Sequence, residues 1–419
     1  MAMLKKVEKL NPAEEAILAV AEPLLASDAK RAQAAQTLRE RGLPTRRVEA
    51  WHYTDLRNSL KAFGPLVQAP AADGIASFLA AHPAICEAVR LPFLDGHFLA
   101  EQADALPKGV SVTGGAAASG YRDAADAIAM LNTMLALDGV RIAIGRNSRI
   151  ETPLALVHGC RNAGAAMLRH AVELDAGASA VFIEQHASNN GIAAHANTVT
   201  GLTLGEGASA TWVIVQQEGD AATHLAQLNV TLGKDSRLTI LALNAGGALV
   251  RREINVMVRG EGSDLRIRGV NLIGGKTHVD VTTSLYHEVP DTVSTEIFRN
   301  VVTDQGRGVF QGEIRVAQIA QKTDARMACN TLLLSDDAEF SAKPELEIFA
   351  DDVQCAHGAT VTDIDDNHLF YLRARGIPEK LARALLVKAF VEEIFDDLEN
   401  EAIQEAMNSR IEEWLEQNG

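Results

Sequence analysis

The chain has 419 residues, of which 47% are hydrophobic and 22% charged, so it can build a packed core and is not a disordered chain. Its formal net charge of −16 argues against broad nucleic-acid binding, because excess carboxylates repel a phosphate backbone. No apolar run reaches the ~18 residues that a membrane span needs, and four widely spaced cysteines favour a reducing compartment, so we expect a cytoplasmic protein without a disulfide framework.

The first third of the chain is predicted to be mostly helical. Residues 12–42 are rich in Ala and Leu at helical spacing, and Pro23 should divide them into two helices. Residues 71–90 and 122–137 show a similar apolar pattern. We therefore expect a mostly helical N-terminal region over residues 1–138.

From about residue 139, short alternating runs that are typical of strands replace the helical pattern. The turn sequence of residues 174–180 returns at 204–210, with weaker copies at 233–238 and 260–265. A strand–turn–strand unit that returns at roughly this interval is typical of a β-solenoid, whose stacked coils bury an aliphatic column. The pattern favours a solenoid core over residues 139–360, and a β-sandwich of Greek-key hairpins is the alternative.

The last segment, residues 361–419, returns to helical periodicity. Leu381 and Leu385, and likewise Leu386 and Phe390, fall at i, i+4 spacing and predict an apolar stripe. The segment is also strongly acidic. A solvated outer helix face accounts for most of that charge, and a docking surface for a partner with basic grooves is the functional interpretation.

Two glycine-rich segments resemble nucleotide-binding loops but have the wrong context. Residues 270–277 have Val at the first position of a P-loop, and residues 205–210 fit G-x-G-x-x-A. Both continue with alternating, strand-like sequence, whereas a phosphate-binding loop needs a helix whose free amides face the phosphates. We therefore expect that this chain binds no nucleotide by itself.

Two short motifs place a thiol and an imidazole two residues apart: His158 with Cys160, and Cys355 with His357. In a strand, residues i and i+2 face the same side, so either pair could bind one metal ion. For the first pair, ordinary core burial is the simpler interpretation. The second pair lies at the junction of the β region and the C-terminal helices. Two ligands cannot fill a coordination shell, so a second chain would have to supply the others.

Several longer motifs carry a family resemblance. Residues 307–312, 321–325, 332–338, 343–360 and 369–377 resemble the SufB/SufD family of iron–sulfur cluster assembly proteins. Residues 51–56, Trp-His-Tyr-Thr-Asp-Leu, and the helical first third resemble the SufD branch of that family. The resemblance spans nearly the whole chain.

The resemblance implies a right-handed parallel β-helix between N- and C-terminal helical regions. It also implies a non-catalytic subunit of a complex with SufB and two copies of the ATPase SufC, in which the chain pairs with SufB through the β-helix and SufC docks on the C-terminal helices. Leu372, Leu385 and Phe390 would be among the docking anchors. Cys355 and His357 would lie at the SufB–SufD interface, where iron or a cluster is held transiently, with His357 the stronger candidate ligand.

Two other functions remain as alternatives. A β-helix enzyme acting on polyanionic saccharides would need a cleft of carboxylates, and Glu173, Asp264 and Asp280 are scattered acids in the predicted solenoid. A self-associating structural protein would instead pair two copies through exposed solenoid edges. In the family-based interpretation, such a homodimer would form when SufB is absent.

Overall fold

Successive strands in the middle of the chain alternate between two parallel sheets, so each coil contributes one strand to each sheet. The computed structural model describes residues 9–71, 74–117, 126–395 and 400–418. Within these residues the protein is mainly β, a solenoid of about eight turns with helices at both ends of the chain. The predicted solenoid is confirmed, and the Greek-key alternative is wrong because Greek-key hairpins pair antiparallel.

The two sheets comprise the following strands. The ten-stranded and nine-stranded sheets take their members from β1 (Val89–Leu94), β2 (His97–Phe98), β3 (Val110–Gly114), β4 (Val140–Ile144), β5 (Leu154–Cys160), β6 (Gly164–Leu174), β7 (Ser179–Ser188), β8 (Ala194–Leu204), β9 (Ser209–Gln217), β10 (Thr223–Leu232), β11 (Arg237–Asn244), β12 (Leu249–Val258), β13 (Asp264–Ile273), β14 (His278–His287), β15 (Val293–Val302), β16 (Arg307–Val316), β17 (Asp324–Leu333), β18 (Glu339–Ile348) and β19 (Gln354–Thr362).

The helices flank the strands in sequence. They are α1 (Pro12–Ala21), α2 (Ala29–Arg41), α3 (Leu56–Ser59), α4 (Ile75–Ala81), α5 (Ala127–Leu135), α6 (Asp366–Ala374), α7 (Glu379–Glu392) and α8 (Glu401–Asn418). No helix among the described residues is long and apolar enough to cross a membrane. All four cysteines are free thiols.

The repeated turn sequence marks the corner at which each coil bends. Gly177, Gly207, Asp235 and Gly262 all have positive φ, between 53° and 73°, where glycine has no steric penalty and Asp is tolerated. Each of these residues donates its backbone N–H to a carbonyl of the next turn, at 2.8–3.0 Å. The sequence repeat therefore reflects a stack of hydrogen-bonded turns along one edge of the solenoid.

The N-terminal predictions are partly confirmed. Pro23 separates α1 from α2, as expected, through a 3₁₀ turn at Glu22–Ser27. Of the predicted helix over residues 122–137, residues 122–125 lie outside the described ranges, and α5 covers much of the rest.

The helix predicted over residues 71–90 is wrong over much of its length. Residues 72–73 lie outside the described ranges, and only Ile75–Ala81 is helical. Pro83 cannot continue a helix, and β1 pairs with β5, which places Leu91 and Phe93 in the solenoid core. The region before residue 139 therefore contributes β1, β2 and β3 to the sheets, and the division of the chain at 138 and 360 stays a prediction.

Helices pack on both outer faces of the solenoid. Helices α1, α2, α3 and α5 pack their apolar residues against the nine-stranded sheet, on side chains such as Met167, Val199 and Leu225. Helices α7 and α8 pack on the ten-stranded sheet, on side chains such as Val213 and Leu241. The C-terminal helices thus contact the sheet that ends in β19.

Candidate metal site at the open end of the solenoid

The solenoid ends, on its C-terminal side, in two bare strands. Among the described residues, β18 is the last strand of the nine-stranded sheet and β19 the last of the ten-stranded sheet, and each pairs on one side only. Ile348, Phe349 and Val361 are exposed there. We call this surface, β18 and β19 with Phe349, the open end.

Both predicted ligands lie on β19 and share one face. Cys355 is in register with Ala325 of β17, and His357 with Met327. Ala325 and Met327 are buried in the solenoid core, so the two candidate ligands continue an inward-facing row onto the last coil. Cys355 is half-buried against that core, and His357 is exposed. The imidazole is therefore open to an associating chain, and the thiol lies at the rim of the core.

The chemistry of this pair is that of an incomplete ligand set. Burial raises the pKa of the Cys355 thiol, with Asp324 adding to the shift, so the unliganded side chain is a neutral thiol. A bound metal deprotonates a coordinating thiol outright. Thiolate and imidazole suit iron and cluster chemistry, but they supply two donors, and a tetrahedral centre needs four.

The two strands of the open end differ in how they present their edges. β18 carries one proline and four charged residues: Glu339, Lys343, Pro344, Glu345 and Glu347. Proline and charged side chains on an edge strand oppose pairing with a strand of another chain. The nine residues of β19 include no proline and no Asp, Glu, Lys or Arg. The edge of β19 is therefore suited to pairing with a strand of another chain.

The other thiol–imidazole pair is buried. His158 hydrogen-bonds through its two ring nitrogens to Gln185 O and to His170, at 3.2 and 3.1 Å. Cys160 packs among Ala166, Ala194 and Ala196, and burial raises the pKa of its thiol. These surroundings favour the core interpretation.

The three predicted docking anchors differ in exposure. Leu385 is 42% exposed and Leu372 half-buried. Phe390 instead packs against the solenoid, with the Arg299 guanidinium 5.2 Å from its ring centre. Phe370 and Leu381 are 73% and 52% exposed on the same pair of helices, and together with Leu385 they form what we call the α6–α7 patch.

The carboxylates of the saccharide-enzyme hypothesis are each paired with a different arginine. Glu173 contacts Arg141 at 2.7 Å, and Asp264 contacts Arg266 at 3.4 Å. Asp280 is fully buried against Arg251 at 2.5 Å. These three groups do not form the carboxylate pair that glycoside chemistry requires.

A polar row inside the solenoid was not predicted from the sequence. Asn244, Asn271 and Asn300 stack in register on β11, β13 and β15, and each amide donates to the next at 2.7 Å. The row ends at Thr331 of β17, which accepts from Asn300 at 3.0 Å. Their separations of 27 to 31 residues match the turn repeat, so aligning polar residues on that period would have found them.

A buried carboxyl group also lies beneath the open end. Glu296 of β15 is in register with Met327, which in turn is in register with His357. The Glu296 carboxyl group is therefore two strand spacings, about 10 Å, from the last coil. Burial raises the pKa of this carboxyl group to about 8.

The chain is similar in sequence to known proteins of iron–sulfur cluster assembly. The family model described as the SufBD core domain of the SUF iron–sulfur cluster assembly system matches residues 157–390. The chain is 32% identical over 392 residues to the iron–sulfur cluster assembly protein SufD of Escherichia coli, covering 91% of each chain. It is 26% identical over 400 residues to a SufBD family protein of Synechocystis, covering 90% of this chain and 88% of the relative.

Proposed function

Since the chain belongs to the SufB/SufD family of iron–sulfur cluster assembly proteins, we propose that it is a SufD-like, non-catalytic subunit that joins a SufB-type chain through β19. Its role lies in iron–sulfur cluster assembly. The observation that carries the finer proposal is the uncharged β19 edge with Cys355 and His357 on it.

In this proposal the SufB-type chain adds a strand beside β19. Main-chain hydrogen bonds would then provide affinity, and the added strand would carry further donors to Cys355 and His357. Iron or a nascent cluster is the cargo of this shared site and is held transiently. His357 is the first ligand to meet it, because its imidazole is exposed while the Cys355 thiol is half-buried.

A SufC-type ATPase would dock on the α6–α7 patch, where Phe370, Leu381 and Leu385 leave apolar surface exposed. Leu372 would line this patch. Phe390 would act indirectly, since it joins α7 to the solenoid. ATP hydrolysis belongs to that partner, and this chain would transmit the resulting motion.

The route for that motion is continuous in the fold. Helices α7 and α8 pack on the outer face of the ten-stranded sheet, whose last strand is β19. A movement of the docked ATPase would therefore be transmitted through α7 and α8 to the sheet that carries Cys355 and His357. The free thiols fit a reducing, cytoplasmic compartment, in which we propose the complex works.

The test is cluster maturation in cells that depend on this chain. We expect His357→Ala to lower cluster maturation at least ~10-fold, since mutating residues that support a metal site lowers metal affinity or activity by a similar factor. Cys355→Ala should lower maturation less. Both variants should still co-purify with the SufB- and SufC-type partners. Gln354→Ala, an exposed residue of the same strand, is the matched control and should mature clusters normally.

Unchanged maturation in His357→Ala cells, with the complex intact, would contradict the site. Failure of the chain to bind either the SufB-type or the SufC-type partner would contradict the proposed complex. Sedimentation without a SufB-type chain tests the remaining alternative, in which the β19 edges of two copies pair as a homodimer.

A further inference from the structure

A second group of metal-ligating side chains lies deep inside the solenoid. Nitrogen atoms of His186 and His224 and a carboxylate oxygen of Glu218 all lie within 4.8 Å of one another. The three side chains are at most 4% exposed. β7, which carries His186, is six strands from β19 in the ten-stranded sheet, about 29 Å away, so this group is separate from the open end.

The three residues come from two consecutive coils, His186 from the coil of β7 and β8, and Glu218 and His224 from the coil of β9 and β10. His186 is near the end of β7, Glu218 follows β9, and His224 is near the start of β10. Glu218 and His224 flank a short connection whose outer residue, Asp220, is exposed. The group therefore lies one layer beneath a surface turn, and an ion could enter as the chain folds or when this turn opens.

The existing contacts hold the three side chains in place. His224 Nδ1 lies 2.8 Å from Glu218 Oε1, and His186 Nε2 lies 2.8 Å from Glu184 Oε1. Arg252 donates to the other ring nitrogen of His224 at 3.0 Å, so the ring proton is on Nδ1, facing Glu218, and an ion bound at Nδ1 would replace that proton. A carboxylate on a ligating histidine is the usual partner that fixes its tautomer and orientation, which is the position of Glu184.

The charges of this cluster do not balance with neutral histidines. Two buried carboxylates, Glu184 and Glu218, face one buried guanidinium, Arg252. Burying a charged side chain costs free energy unless the charge is paired with an opposite charge or coordinates a metal. A cation between His186, His224 and Glu218 would provide that compensation, and without it a proton must.

A fourth donor is present beside the three. The Gln216 amide donates to Glu218 Oε2 at 2.6 Å, while its own oxygen is buried and has no hydrogen-bond partner among the described residues. A buried amide oxygen without a partner is costly. An ion, or a water bound to it, would satisfy this oxygen.

We propose that His186, His224 and Glu218 bind a divalent transition-metal ion inside the solenoid, with Gln216 beside it. Two imidazoles and one carboxylate are a ligand set typical of ferrous iron and of zinc. With bonds of about 2.1 Å, two ligands of one ion are at most about 4.2 Å apart, so the group needs to contract by less than 1 Å. The ion would tie two consecutive coils together and stabilise the chain, because it binds the folded state and not the unfolded one.

The experiment uses the full-length chain, stripped with a chelator and shown by circular dichroism to be folded. Fe(II), under anaerobic conditions, and Zn(II) are added separately, and retained metal and melting temperature are measured. We expect about one equivalent of at least one of the two ions per chain, with a rise in melting temperature. Glu218→Gln and His186→Gln should weaken binding at least ~10-fold and abolish the metal-dependent rise.

Two control variants distinguish the interior site from a different buried histidine and from the open end. His287→Gln alters another buried histidine, held by Thr292 and Ser294 at 2.8 and 3.0 Å, and should retain the ion. The Cys355→Ala, His357→Ala double variant should retain it as well.

The proposal is overturned if the folded, stripped wild-type chain takes up neither ion, or if Glu218→Gln binds as tightly as the wild type. It is also overturned if the double variant at the open end loses the ion, since the ion would then lie there. The wild-type measurement decides even if a variant fails to fold, and none of these negative results bears on pairing through β19.

Discussion

The two ends of the solenoid are built differently. At the N-terminal end, the sheets finish in short strands, β2 of two residues and β3 of five, each antiparallel to its neighbour. At the C-terminal end, they finish in β18 and β19, strands of ten and nine residues, of which β18 is mostly half-buried and β19 mostly exposed. Solenoids need caps at their ends to stay soluble. The first end is capped within the chain, and the second is the end at which we propose that another polypeptide binds.

The largest effect is expected from damage to the capped end. Phe93 is fully buried, and its ring centre is 4.7 Å from that of His158 and 5.1 Å from that of Phe98. Phe93→Ala should lower the free energy of unfolding by about 3–5 kcal/mol, measured by urea titration, because it leaves a cavity in the core. A loss below about 1 kcal/mol would show that this end is not packed as a finished cap.

The next effect tests the buried carboxyl group beneath the open end. Because burial raises the pKa of Glu296 to about 8, the folded chain keeps a proton that the unfolded chain releases above its ordinary pKa of 4.5. Stability should therefore fall as pH rises from about 5 to 8, by up to about 1.4 kcal/mol per unit. In Glu296→Gln this contribution disappears, so the difference between the two proteins should change across that range. Parallel stability profiles would contradict the neutral carboxyl group.

A smaller effect, on binding to a SufB-type chain, distinguishes the edge of β19 from the edge of β18. Gly358 lies in β19, and a side chain there would meet no atom of the chain within 4 Å. Gly358→Lys should leave the isolated chain folded but weaken binding to a SufB-type chain at least ~10-fold, about 1.4 kcal/mol, since lysine on an edge opposes pairing. Glu347→Lys on the already charged β18 is the matched control, and equal losses in the two variants would contradict pairing through β19.

The smallest effect is expected from the exposed apolar surface of the open end. Phe349 is 55% exposed and lies under the guanidinium of Arg315, 5.4 Å from its ring centre. Phe349→Ala should change the stability of the isolated chain by less than about 0.5 kcal/mol, in contrast to Phe93→Ala. A loss as large as that of Phe93→Ala would mean that the open end is packed like the capped one.

The sequence revealed the solenoid because its turns repeat in residue type. Positions such as Gly177 and Gly207 require a positive φ in every coil, so the requirement shows as a pattern. Strand β1 was missed because Leu91 and Phe93 lie between segments with helical composition, and only pairing with the distant β5 makes them a strand.

The candidate site was predictable in part for similar reasons. Alternation along a strand predicts that Cys355 and His357 lie on one face of β19, and in the structure both lie on that face. The exposure of Leu385 and the burial of Phe390 depend on how α7 rotates against the solenoid, which periodicity alone does not determine. The interior group of His186, Glu218 and His224 comes from two coils, and only the register of the sheets shows that these residues lie close together.

Hydrogen exchange of the β19 amides is the most direct test of completion by another chain. The account predicts that backbone amides of Gln354–Thr362 exchange at least ~10-fold more slowly when a SufB-type chain is bound, while those of Glu339–Ile348 change little, because a paired edge protects its amides. A stable complex in which the β19 amides exchange as fast as in the isolated chain would contradict the account.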